Sequence, residues 1–245
     1  MRFAFFTRGE PEPSHLDIRH GDSAFRVELR RRSIARRVTL RVSGATGDIV
    51  LTLPERTSIA TARKFAEAHG GWIAARVSRL PDRVPFVAGA MIPFRGVPHR
   101  IARRACLHTG ASTGPDGESE IVVAGAEAHT PRRVREFLNR EARQDLAEAV
   151  ARYTACLGVT AGKITLRDTT SRWGSCSSRG GLSFSWRLIM APPYVLDYLA
   201  AHEVGHLIEM NHSRRFWHLV HDLCPRTDEA EKWLKTNGAG LHRFG

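Results

Sequence analysis

His202-Glu203-Val204-Gly205-His206 is the stretch of this chain whose residue types and spacing can do chemistry. On a helix, residues four apart lie one turn apart on the same face. Two imidazoles can then present nitrogen to one metal ion. Glu203 falls beside that ion and not on it, where a general base acting on water belongs. A catalytic zinc takes three protein ligands and keeps one position open. His212, in Asn211-His212-Ser213, is the third-ligand candidate, and the chain must turn back after His206 to bring it in. Asn211 is read as a left-handed turn residue and Ser213 as the cap of the following helix. Glu229 and Glu231, from a later helix, are the alternatives to His212. His218 and His221 are lesser alternatives for the same place and otherwise read as outer or surface histidines.

The chemistry implied is metal-assisted hydrolysis with one Zn2+ per chain. Zinc acidifies the water it holds toward a pKa of about 7. Glu203 accepts the proton as water attacks a scissile carbonyl, then delivers it to the leaving amine. One further donor must help stabilise the oxyanion; Tyr194, Arg172 and His218 stand equal in that role. The histidine spacing is that of the metzincin pattern H-E-x-x-H-x-x-G-x-x-H. Glu209 stands where that pattern needs a turn glycine, and the four methionines (1, 91, 190 and 210) leave none after His212 for a Met-turn. Both features argue against a metzincin.

The elements that must position these residues divide the chain softly near residue 128. Pro193 opens the helix that carries the motif, and Val195, Leu196, Leu199, Val204, Leu207 and Ile208 supply its apolar face. Residues 214–220 form the next helix, with Phe216, Trp217 and Val220 inward. Upstream, Thr130 caps and Pro131 opens a helix whose apolar residues recur from Val134 to Tyr153 and which Gly158 ends. Residues 163–168 and 182–188 read as strands with a turn at 177–181. Residues 1–128 are β-rich, and 129–245 read helix–hairpin–helix; the two can pack as one unit. Strands are expected over 24–30 and 37–42, joined through Arg30, Arg31, Arg32, Arg36 and Arg37 at a hairpin tip. Others follow at 49–53 and 120–124, with a hairpin over 86–104 turning at Gly96. Residues 58–80 read as helix, split at Gly70-Gly71, with Trp72 among its apolar face. Residues 109–119 read as a polar loop. No internal repeat is visible.

At 245 residues, 42% hydrophobic and 25% charged, the composition is that of an ordinary soluble globular protein, and the strands and helices read above make its expected fold class α+β. The apolar part of Met1–Arg8 is too short for a secretory signal, so export is not expected. The cysteines, Cys106, Cys156, Cys176 and Cys224, form no C-x-x-C pair and read as reduced thiols of a cytoplasmic protein. Net charge is +12, and residues 1–125 carry 20 basic against 12 acidic side chains. That excess raises the prospect of nucleic-acid contact through the N-terminal half.

Three blocks resemble the YgjP-like metallopeptidases, distant relatives of the SprT and Spartan proteases. They are Ser171-Arg172-Trp173-Gly174-Ser175-Cys176-Ser177, Ser185-Trp186-Arg187-Leu188-Ile189 with Ala191-Pro192, and His202 to Trp217. The family often has Asn at the position of Ser185 and Leu-Cys at Val204-Gly205. The resemblance implies a zincin-like core, helix–β-hairpin–active-site helix, and zinc held at 202, 206 and 212. Zincin folds present a strand edge to extended peptides, and the hairpin at 171–185 is the candidate, with Arg172 and Ser175 lining the cleft. Peptide bonds are the expected target. Two other readings stay open: hydrolysis of a non-peptide amide in a closed pocket, or a nucleic-acid-associated protein with a non-catalytic metal. A structural zinc is normally four-coordinate, and no fourth ligand is evident.

Overall fold

The computed structural model describes residues 12–44, 46–80 and 82–245. The stretch Met1–Arg8 lies outside them. The chain forms two compact units, divided between residues 80 and 81. Among the described residues no helix is long and apolar enough to cross a membrane.

The first unit is a four-stranded sheet backed by two helices. Its strands are β1 (His15–His20), β2 (Ser23–Arg31), β3 (Thr39–Val42) and β4 (Ile49–Leu53), and its helices α1 (Ile59–Ala68) and α2 (Gly70–Val77). The spatial order is β1-β2-β4-β3, with β2 and β4 parallel. The arginine-rich segment after β2 is therefore a crossover past β4 and not a hairpin tip. The most apolar strand explains this: Ile49, Leu51 and Leu53 are all buried, and a central place covers them on both sides. Short, polar β3 takes the edge. Ser58 caps α1 by accepting from the Thr61 amide at 3.1 Å. The glycine pair does split the helix, and it lets His20 approach: a Cβ on Gly70 would lie 3.0 Å from that of His20. Trp72 is half exposed and lies outside the core. Leu16, Ile18, Val27, Leu51, Ala66 and Ile73 pack together in a core of their own.

The second unit opens with β5 (Met91–Phe94), β6 (Val97–Arg103), β7 (Gly110–Thr113) and β8 (Ser119–Val123). Part of the expected polar loop at 109–119 is thus an edge strand. It lacks any large apolar residue, so it carries no alternation to read. The order is β5-β6-β8-β7, again with the second and last strands parallel. The hairpin turns at Arg95-Gly96, both with positive φ (49° and 79°), as a two-residue turn requires.

Helix α3 (Thr130–Leu157) follows, with Pro131 in its first turn and Gly158 closing it at φ 64°. His129 occupies the cap position, one residue earlier than expected. Its 28 residues span about 42 Å. Val134, Phe137 and Leu138 cover the sheet, while Leu146, Ala149 and Val150 belong to the same continuous core further along. The change of pattern near residue 128 is therefore not a break in packing: β5–β8 and everything after them share one core.

Strands β9 (Ile164–Arg167), β10 (Gly174–Cys176) and β11 (Leu182–Ser185) form a second sheet, ordered β10-β11-β9. Residues Trp186–Met190 make a 3-10 turn into α4 (Pro193–Gly205). Helices α5 (Arg214–Leu223) and α6 (Thr227–Asn237) complete the unit. A buried guanidinium fastens the end of the chain. Arg187 grips Asp168 through two bonds of 2.6 and 3.1 Å and donates to the carbonyls of Leu241 and Phe244. Fixing Asp168 also fixes the loop that leads to β10.

Candidate metal centre

Helix α4 is hydrophobic on most sides because it lies inside the unit, between α3, α5, α6 and β10. Tyr153 of α3 donates to Asp197 at 2.6 Å, anchoring the outer face of the helix. At its start the β5–β6 turn leans on Pro192, closely enough that a Cβ on Gly96 would sit 2.9 Å from the Pro192 backbone. The last turn of α4 carries His202 and Glu203, and His206 takes the C-cap position with helical φ and ψ.

The chain then reverses, but not as expected. Asn211 does not adopt positive φ. Its side-chain oxygen instead accepts from the Ser213 amide at 3.0 Å, a turn held by hydrogen bonding and not by left-handed backbone. Ser213 caps α5 by accepting from the Phe216 amide. The reversal returns His212 to the other two histidines. One nitrogen from each of His202, His206 and His212 lies within 4.8 Å of the others. Fully buried Phe216 stacks on His206 with ring centroids 4.4 Å apart.

The outer hydrogen bonds choose the tautomers. The Glu209 carbonyl lies 2.9 Å from Nδ1 of His206, which must donate to it, leaving Nε2 with a free lone pair. Tyr198 donates its hydroxyl to Glu231 at 3.1 Å, so its oxygen can accept from Nδ1 of His202 at 3.3 Å. Nε2 of His202 then faces Nε2 of His212 at 3.2 Å. Burial pushes the His202 pKa down to about 4, helped by the neighbouring His206 and His212. Burial lowers that of His206 too, against the Glu209 carbonyl, which raises it. Neutral imidazoles with converging lone pairs are what a metal requires.

Glu203 is buried beside them, and its Oε2 has no hydrogen-bond partner. Burial raises its pKa to about 7, while the charge of Arg172 pulls the other way. An orphaned carboxylate oxygen next to three converging imidazoles fits a bound cation, which would draw that pKa down again. Gly174 of β10 abuts Glu203, and any Cβ there would collide with the carboxylate.

The other candidates fall outside this cluster. Glu229 pairs with Arg226 through two bonds of 2.7 Å. Glu231 lines the same hollow and is hydrogen-bonded to Tyr198, but it contributes no oxygen to the cluster. His221 faces Asp228 at 3.7 Å, and His218 is exposed on α5. Tyr194 lies under the Arg226 guanidinium. Burial raises the Cys176 thiol, as does the nearby Glu203, so it stays protonated. Tyr198 is the residue that sequence reasoning missed. Its signal, one helical turn before His202, was readable as core alone.

A model of the YgjP-like metallopeptidase domain matches residues 36–237. The chain belongs to the YgjP-like family. That match spans most of both units, so the first unit is part of what the family shares. Membership implies a metal cofactor and a metallopeptidase activity. No curated protein matches this sequence. Among solved structures, the metallopeptidase zymogen abylysin of Pyrococcus abyssi is similar at 22% identity, over 37% of this chain and 92% of its own. Its TM-score is 0.35, a likeness too slight to bear on fold or function.

Proposed function

We propose that this YgjP-like chain is a zinc-dependent peptidase in which His202, His206 and His212 hold one zinc ion and Glu203 is the general base. The observation that carries the reading is the meeting of three imidazoles with a buried carboxylate whose second oxygen is unclaimed. Zinc, when bound, supplies a Lewis acid that polarises the scissile carbonyl and acidifies the attacking water. Glu203 takes a proton from that water and returns it to the leaving amine, so one amide and one water become a carboxylic acid and an amine. Tyr198 and the Glu209 carbonyl keep two of the imidazoles in the ligand tautomer.

A peptide substrate suits the neighbouring strand. Ser185 donates to the Trp173 carbonyl and Ser177 to that of Gly181, so β10 spends these groups on β11. By alternation the peptide groups of Gly174 and Cys176 face the opposite, free edge. An extended chain added there runs directly past Glu203. The hollow over Glu203 and His202 is small, about 240 Å³, and open to solvent, which favours a polymer passing across it over an enclosed small amide. A non-catalytic zinc would want a fourth side chain, and the described residues gather three.

Zinc content measured by elemental mass spectrometry, with hydrolysis assayed in parallel, tests this reading. About one zinc per chain is expected in the wild type, and none in His206→Ala. Glu203→Ala should keep zinc and lose activity by about 10²–10⁴-fold. Full activity in that variant would remove Glu203 from the mechanism.

A further inference from the structure

The sheet that carries β10 has a second face, turned away from the histidines. Ile164, Leu166, Leu182 and Phe184 point into the core. The alternate residues therefore point outward, and the register aligns Thr165, Ser183 and Ser175 in one row across the three strands. Above that row lies a cleft of about 630 Å³. Its rim carries Lys163 just before β9, Arg167 at the end of β9 and Arg172 from the loop before β10. Among the described residues no acidic group pairs with any of these three cations. Unpaired exposed arginines occur elsewhere, as at Arg37 and Arg41; what sets these three cations apart is that they line one cleft.

The cleft is not a separate place from the metal centre. Trp173 and Gly174 form a wall of both, and the charge of Arg172 is felt by Glu203. Three unneutralised cations and a row of hydroxyl donors between low-dielectric walls focus a positive potential there. We infer that this face is a docking cleft for an acidic stretch of the polypeptide being cleaved; the inference rests on the peptidase reading given above. Strand spacing of about 4.8 Å puts β9 roughly 10 Å from β10. A carboxylate on a strand added to β10 meets Arg172 first, and residues further along the substrate meet Lys163 and Arg167. The Thr165 hydroxyl already donates to the Leu182 carbonyl at 3.3 Å, so those of Ser175 and Ser183 are the ones that donate to the same carboxylates. Nucleic acid fits less well. Single strands are held by stacking bases on aromatic rings. Of the two aromatic residues lining the cleft, Phe184 points into the core and Trp173 is already packed against His242 and Gly238.

Fluorescence anisotropy of the full chain tests this without turnover. The probes are a labelled peptide bearing a Glu-Glu-Asp-Glu tract, its Gln-Gln-Asn-Gln counterpart, and a single-stranded oligonucleotide of matched charge. The acidic peptide should bind about tenfold tighter than the neutral one, less so at high salt. Lys163→Gln/Arg167→Gln, both exposed positions, should weaken it about three- to tenfold. Because a chain of net charge +12 attracts any polyanion, Arg37→Gln/Arg41→Gln serves as the control and should weaken it less than twofold. Equal binding of the two peptides, equal loss in both double variants, or an oligonucleotide that binds tighter and depends on Lys163 and Arg167 would each overturn the inference. Cleavage separates it from the peptidase reading. A chain that hydrolyses neutral and acidic peptides with equal kcat/KM keeps the peptidase and loses the cleft. A chain that binds the acidic tract through Lys163 and Arg167 and hydrolyses nothing keeps the cleft and loses the peptidase.

Discussion

The two four-stranded sheets of this protein have the same topology and different employment. In each, the strands run in the order first, second, fourth, third, with an antiparallel opening pair and a parallel central pair. Each is followed by helix. In the first unit that helix is short and broken, α1 and then α2, and it covers its own sheet. In the second it is the unbroken α3, three turns or so of which suffice for the sheet. The rest of α3 runs on to join the core around the metal centre. One helix length thus decides whether a sheet stabilises only itself or also holds the active site. The amino acids at the break say why: Gly70 and Gly71 admit His20 where a longer helix would have side chains.

The strongest test of that difference compares two buried leucines. Leu51→Ala and Leu138→Ala each remove a fully buried side chain and should each cost about 2–5 kcal/mol. Only Leu138 belongs to the core shared with α4. Zinc retained after gel filtration should fall in Leu138→Ala and stay at the wild-type level in Leu51→Ala. If Leu51→Ala also sheds zinc, the two cores are coupled and the contrast fails.

A finer test uses the equivalent turns of the two sheets. Gly21 sits at φ 57° with open space around it, whereas Gly96 at φ 79° presses on Pro192 at the head of α4. Gly21→Ala should cost only backbone strain, about 1–2 kcal/mol. Gly96→Ala adds a backbone collision and should cost about 2–4 kcal/mol, with a drop in hydrolysis as α4 is displaced. Urea melts read the first quantity and kcat/KM the second. A Gly96→Ala chain with normal kcat/KM would show that the turn does not position the helix.

How much of this was legible follows from how local each cause is. The histidines and Glu203 could be read because one helical turn sets their spacing, and the Gly158 stop and Ser213 cap are equally local. The β2–β4 pairing could not, since which strand becomes central depends on the burial of the whole sheet. Strand β7 offers Gly110-Ala111-Ser112-Thr113, with nothing to alternate. The shared topology of the two sheets left no repeat in the residues themselves. Tyr198 and Glu231 are 33 residues apart, so their link to His202 exists only once α6 has packed against α4. The same holds for Arg187 and the chain end it fastens.

That fastening supplies the smallest effect and a distinctive one. His242 is buried against Trp173, with ring centroids 5.2 Å apart, next to the Arg187–Asp168 pair. Burial lowers its pKa and the Arg187 charge lowers it further, against Asp168. The unfolded histidine titrates near 6.5. Between that pH and the lower folded pKa the unfolded chain binds a proton that the folded chain refuses, so stability declines as pH falls below about 6.5. Asp168 behaves differently: burial raises its pKa, but the bonds and charge of Arg187 outweigh that and hold it below the usual carboxylate value, so its contribution is intact until pH drops beneath about 4. Other histidines titrate in the same range, so the informative quantity is the gap in Tm between wild type and His242→Gln at each pH, metal removed. The gap should be constant above pH 7 and shrink toward pH 5, because the variant has no buried imidazole to protonate. Parallel Tm curves across that range would mean that His242 reaches water in the folded chain, and that Arg187 alone holds the end of the second unit in place.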